Sequence, residues 1–123
     1  VRAPSKSRVR AERSGRAAET LAAWVYRLRG YEIIDRRFRA AGGEIDLVAR
    51  KAGLLVFVEV KRRADIDAAI FAVTFKNRRR MERAVKSWLG RNPRLSMSDI
   101  RYDIAAVAGW RVKIAADAWR EGQ

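Results

Sequence analysis

The sequence contains no histidine and no cysteine. Without imidazole there is no Ser-His-Asp or Cys-His nucleophile system, no His general base and no zinc site built on ring nitrogens. Without thiols, disulfides and thiolate metal centres are excluded too. Hydrolytic chemistry in such a chain must rest on carboxylates, lysines and an oxygen-preferring ion such as Mg²⁺ or Mn²⁺. Long apolar runs are also missing. The longest, Leu54-Leu55-Val56-Phe57-Val58, is far too short to span a bilayer. The N-terminus carries no apolar signal-peptide core, so we expect a cytoplasmic protein with no membrane partner. Acidic residues are scarce: 14 against 28 Lys and Arg, for a net charge of +14 over 123 residues. A polyanion is the simplest match for that excess, and nucleic acid is the commonest polyanion.

The length suits one domain with a real core. Residues 1–13 read as a flexible basic N-terminal arm, 14–116 as a single domain and 117–123 as a tail. Ser14 is a candidate N-cap for a helix whose apolar stripe is Ala18, Leu21, Ala22, Val25 and Leu28, with Gly30 as its stop. A strand from Tyr31 to Arg39 follows, then a turn at Ala41-Gly42-Gly43 and two further strands. One long helical pattern takes in Ile70, Val73, Met81, Ala84, Val85, Trp88 and Leu89, and Gly90 ends it. A strand over 100–107 and a short one over 112–114 complete the chain. The order α-β-β-β-α-β(-β) implies an α/β fold with a central mixed β-sheet flanked by helices.

The chemistry-bearing segments are Gly43-Glu44-Ile45-Asp46-Leu47-Val48 and Phe57-Val58-Glu59-Val60-Lys61. Both alternate with a period of two, yet both put ionisable groups where a sheet wants Val or Thr. With Ala52-Gly53 at a hairpin tip, facing residue numbers sum to 105, so Asp46 lies opposite Glu59 and Glu44 opposite Lys61. This register gathers Glu44, Asp46, Phe57, Glu59 and Lys61 on one face, with Ile45, Leu47, Val58 and Val60 on the other. Opposed carboxylates with Cβ atoms about 5 Å apart repel each other, and a divalent cation would compensate. Asp46 and Glu59 would supply hard oxygen ligands, helped by a backbone carbonyl such as that of Val60, and Lys61 would stabilise charge on a phosphate. The same residues also admit a solvated charged face with a Glu44–Lys61 salt bridge, and Glu-x-Lys alone is too frequent to decide between the two.

Gly43-Glu44-Ile45-Asp46-Leu47 followed by Phe57-Val58-Glu59-Val60-Lys61-Arg62 resembles the signature of the YraN-type family of small bacterial proteins. The likeness extends to Gly15-x-x-x-Glu19 with Ala22, to Gly30-Tyr31, to Lys76, and to Arg101-Tyr102-Asp103. That family has a restriction-endonuclease-like core and is similar to PD-(D/E)xK nucleases, most closely archaeal Holliday-junction resolvases. The resemblance implies that Asp46, Glu59 and Lys61 are catalytic, that Asp46 and Glu59 hold the metal, and that Glu19 is the first-helix acid reaching the same ion. The Pro that names the superfamily is replaced by Ile45. A metal-dependent endonuclease acting on DNA, on branched or flap structures in particular, is the expected function, and the resolvase relatives imply a homodimer. The alternative is a nucleic-acid-binding protein that keeps the nuclease fold without cutting.

For phosphate contact the sequence offers a dense basic segment: Lys76, Arg78, Arg79, Arg80, Arg83 and Lys86, opposed only by Glu82. Arg62 and Arg63 adjoin the Glu-x-Lys strand and are expected to meet the backbone near the scissile phosphate. Trp24, Trp88, Trp110 and Trp119 are expected to pack rather than stack on bases.

Overall fold

The computed structural model describes residues 5–123. Helix α1 (Lys6–Leu28) leads into strands β1 (Glu32–Ala40), β2 (Gly43–Lys51) and β3 (Leu54–Arg62). Two helices follow, α2 (Ile66–Phe71) and α3 (Phe75–Arg91), then a 3-10 turn (Pro93–Leu95) and strands β4 (Asp99–Ala108) and β5 (Arg111–Trp119). The five strands form one sheet in the order β1-β2-β3-β4-β5. Only β3 and β4 are parallel, joined by the helical crossover, so the sheet is mixed as expected. Among the described residues no helix is long and apolar enough to cross a membrane.

Helices cover both faces of the sheet. On one, Ala22, Ala23 and Tyr26 of α1 pack on Leu47, Ala49, Val56, Val58 and Ala105. On the other, Met81, Ala84, Val85 and Trp88 of α3 pack on Ile45, Val48, Leu55, Phe57, Tyr102 and Ile104. The β2–β3 hairpin has the expected register, from Leu47–Val58 to Lys51–Leu54, with Ala52 left-handed at its tip (φ 53°). Glu44, Asp46, Glu59 and Lys61 therefore lie on the α3 side, where they line a common cleft.

Several expectations are corrected. Ile45 packs with the α3 cluster rather than sharing a face with Leu47. Arg37, between the Arg36–Leu47 and Phe38–Ile45 pairs, is left-handed (φ 51°), and the register irregularity of the β1–β2 pairing lies earlier in β1, between Ile33 and Asp35. Helix α1 begins at Lys6, so residues 6–13 belong to a helix rather than an arm, and Ser14 lies inside it instead of capping it. Ala, Arg and Glu upstream of Ser14 are good helix formers and carry the helix on; residues 1–4 of the expected arm lie outside the described residues. The buried side of α1 is Ala18, Ala22, Ala23 and Tyr26, while Leu28 is 82% exposed. Small side chains let the helix approach the sheet closely, and the Tyr26 hydroxyl donates to buried Asp103 at 2.7 Å.

The long helical pattern is two helices. Ala72 to Thr74 separates them, because Thr74 and Asn77 form a reciprocal capping box that starts α3 afresh. Strand β5 runs to Trp119, so the tail begins later than residue 117. Trp119 stacks on Tyr102 and is buried, as is Trp88, but Trp24 and Trp110 are 56% and 87% exposed and do not pack in the core.

Candidate active site

The open end of the β2–β3 hairpin faces the first turns of α3 across a cleft of ≈ 620 Å³. Its walls include Glu44, Asp46, Glu59 and Lys61 from the sheet, Arg39 from β1, and Asn77 and Arg80 from α3. Gly43 sets how close the two walls come. A Cβ on Gly43 would lie 1.9 Å from the Arg80 carbonyl oxygen, so only glycine lets β2 start directly against the α3 backbone. Arg80 closes the same corner by donating from Nε to the Gly42 carbonyl at 3.0 Å.

Beyond Leu47–Val58 a side chain takes over from the backbone ladder: the Val60 N–H donates to Asp46 Oδ2 at 2.7 Å. The hydrogen bond fixes the carboxylate against β3 and leaves Oδ1 for another partner. Burial, then the neighbouring Glu59 charge, push the Asp46 carboxyl up to about 8, and the Val60 N–H only partly offsets them. Glu59 is also raised by burial, against the lowering effect of Lys61, whose Nζ lies 3.4 Å from Glu59 Oε1. Glu44 pairs with Arg39 at 3.4 Å, not with Lys61, so the simple cross-strand salt bridge is replaced by two other pairs. Of these two neighbouring carboxylates only Glu59 has a cation paired with it, so Asp46 is short of positive charge.

That deficit suits a hard cation. Among the described residues no three His, Cys, Asp or Glu side chains form a metal-holding group. Mg²⁺ commonly takes only one or two protein carboxylates and completes its shell with waters and phosphate oxygens, so the Asp46–Glu59 pair fits that donor set.

Glu19 stands apart. It is buried, but both its oxygens accept from Arg37 Nε, at 2.7 and 2.9 Å, and it lines a neighbouring cleft with Arg16, Arg37, Arg39 and Glu44. Only its charge is felt at Asp46 and Glu59. The partner Arg37 was missed in the sequence, since nothing in Arg36-Arg37 marks a left-handed residue.

The basic candidates divide. Arg80 lines the cleft, and Lys76 and Arg83 are exposed on α3. Arg79, by contrast, is engaged with Glu82 at 2.6 Å and with the Gln123 carbonyl, and Arg78 lies over the Trp119 ring. Both are turned towards the C-terminal segment and are withdrawn from the expected phosphate set. Arg62 ties the end of β3 to the Ser14 and Gly109 carbonyls, while Arg63 Nη1 donates to the Arg62 carbonyl. Arg39 was missed because it sits in a strand whose charges carry no motif.

A profile described as "Uncharacterised protein family UPF0102" matches residues 18–107. The chain belongs to the UPF0102 family. Within that family it is 43% identical over 122 residues to UPF0102 protein amb4503 of Paramagnetospirillum magneticum, covering 95% of each chain. It is 44% identical over 108 residues to UPF0102 protein mlr4633 of Mesorhizobium japonicum, covering 88% of this chain and 86% of that one. A UPF0102 protein of a Chelativorans species is 46% identical over 101 residues, 82% of each. The profile takes in Glu19, the cleft carboxylates and Lys61, all on the matched stretch. The UPF0102 family is the YraN family expected from the strand motifs.

Proposed function

We propose that this UPF0102 protein is a metal-dependent endonuclease that hydrolyses phosphodiester bonds in DNA. The observation that carries the reading is the convergence of Asp46, Glu59 and Lys61 in one cleft with a deficit of positive charge at the carboxylates. Asp46 and Glu59 would hold Mg²⁺ or Mn²⁺, which when bound supplies Lewis-acid activation of water and offsets charge on the phosphate. Asp46 is oriented for this by the Val60 N–H. Lys61, 3.4 Å from Glu59, is placed to stabilise charge building on the phosphoryl oxygens as water adds to phosphorus and the ester oxygen leaves. Arg39 and Arg80 at the rim meet flanking phosphates. Branched or flap DNA is the substrate that the family resemblance favours, with a homodimer making paired nicks.

One observation favours the second reading, a binding protein without cleavage: Glu19 is held by Arg37 rather than delivered to the carboxylate pair. Labelled duplex, single-stranded, flap and four-way-junction DNA, each with Mg²⁺ or Mn²⁺ against EDTA, separate the two. Metal-dependent cutting lost in Asp46→Ala and Lys61→Ala supports the enzyme; metal-independent binding without cutting on every substrate rejects it.

A further inference from the structure

The far end of α3 holds a second basic feature that the nuclease reading leaves unused. A cavity of ≈ 590 Å³ is lined by Arg50 at the end of β2 and by Arg91, Asn92, Pro93, Arg94 and Leu95. Among the described residues no acidic side chain lines it. Among the described residues the Arg50 and Arg94 side chains make no hydrogen bond or ion pair, and the Arg91 guanidinium lies over the Phe38 ring, 5.2 Å away. An arginine in the last turn of a helix is ordinarily explained by the helix carbonyls. Here Asn92 already takes two of them, its N–H donating to Leu89 and its side chain to Trp88. Arg50 and Arg94, moreover, are not on the helix. Three guanidinium groups from three segments therefore line one hollow; Glu32 faces Arg50 in the β1–β2 register, but among the described residues no acid forms an ion pair with any of the three.

The hollow and the nuclease-like cleft lie on the same side of the sheet, at opposite ends of α3. Between them, Arg83 and Lys86 are exposed on the helix side away from the sheet, turned about 60° and 120° around the helix axis from Arg80 at the cleft. The only acid of α3, Glu82, is buried against Trp119 and Arg79. From Arg80 to Arg91 the helix rises about 16 Å at 1.5 Å per residue, the length of roughly five base pairs of B-DNA. We propose that the Arg50–Arg91–Arg94 hollow is a second phosphate-backbone anchor, and that a nucleic-acid duplex lies along α3 from the carboxylate cleft to this anchor. The proposal rests on the nucleic-acid reading of the cleft but not on cleavage. It defines the substrate as one with a duplex arm extending well beyond the scissile bond. The guanidinium groups contact phosphates without reading sequence.

The test is binding of a fluorescent 20-base-pair duplex in EDTA, where nothing is cut, as a function of salt. The triple variant Arg50→Gln/Arg91→Gln/Arg94→Gln is compared with Arg29→Gln/Arg111→Gln/Lys113→Gln, which removes equal charge from exposed sites elsewhere. Each lost phosphate contact lowers the slope of log K against log salt by about 0.9. The hollow variant should lose about two to three from that slope and bind at least tenfold more weakly at 0.1 M salt. The control should change affinity by less than threefold and leave the slope unaltered. Replacing the three arginines by lysine should restore most of the slope, since a point charge suffices for phosphate, and shows that lost affinity is not lost folding. Equal effects of hollow and control variants overturn the proposal, as does an unchanged slope in the hollow variant. Three-arginine-dependent binding to anionic vesicles without any to duplex also overturns it. Failure of the nuclease reading looks different: no cutting with metal, with the slope change intact.

Discussion

If Asp46 and Glu59 are a repulsive pair awaiting a cation, Asp46→Asn should stabilise the metal-free protein at alkaline pH. In the folded state the Asp46 carboxyl is raised from its ordinary 3.8 to about 8, chiefly by burial and then by Glu59. A raised acid favours the folded state while protonated. Its stabilising contribution is therefore full below about pH 4 and is lost progressively as pH climbs towards 8. At ~1.36 kcal/mol for each tenfold change in proton affinity, the ceiling on that loss is ~6 kcal/mol. Water in the open cleft screens the pair and reduces the expected loss to ~2–3 kcal/mol. Asn keeps the acceptor that Val60 N–H needs, so the substitution removes charge with little else. Urea unfolding in EDTA should show the variant ~2–3 kcal/mol more stable than the native chain at pH 8.5 and nearly equal to it at pH 4.5. Added Mg²⁺ should raise the melting temperature of the native chain and leave the variant unmoved. A variant destabilised alike at both pH values would refute the account of the pair.

Three further substitutions test how the site is held. Gly43→Ala places a methyl group on the Arg80 carbonyl and should cost ~3 kcal/mol or more, read as a lower urea midpoint, with displacement of α3 from the cleft; a change under ~1 kcal/mol would mean that the contact is readily relieved. Tyr26→Phe removes a donor from Asp103, which also accepts from Arg101 at 2.8 Å and from the Asp117 N–H at 3.0 Å. The expected loss is ~1.5–3 kcal/mol by chemical denaturation, and an unchanged midpoint would refute it. Thr74→Ala breaks the capping box that separates α2 from α3 and should lower stability by ~1 kcal/mol, with less helical signal in circular dichroism on the first turn's unravelling.

The cleft was legible because strand periodicity is local. The hairpin register follows from where apolar and ionic residues alternate in two short segments, and it brings Asp46 and Glu59 to one side without long-range information. What escaped depends on residues distant in sequence. Ile45 joins the α3 cluster although the alternation of its strand would put it with Leu47. The withdrawal of Arg78 and Arg79 follows from Trp119, Glu82 and Gln123 meeting in space. The buried side of α1 is chosen by Asp103, 77 residues away from Tyr26, and an apolar stripe running to Leu28 could not foretell it. The capping box at Thr74 was written in the sequence, but the apolar positions on either side of it masked the break.

A metal-dependent phosphodiester-cleaving site at Asp46, Glu59 and Lys61, as proposed, is tested by single-turnover cleavage of an end-labelled four-way junction, with Mn²⁺ or Mg²⁺ and with EDTA, by the native protein and by Asp46→Asn. Discrete metal-dependent nicks are expected from the native protein and none from the variant, with junction binding retained by both. Junction binding by the native protein with no nicks under either metal, or nicks that persist in Asp46→Asn, would contradict it.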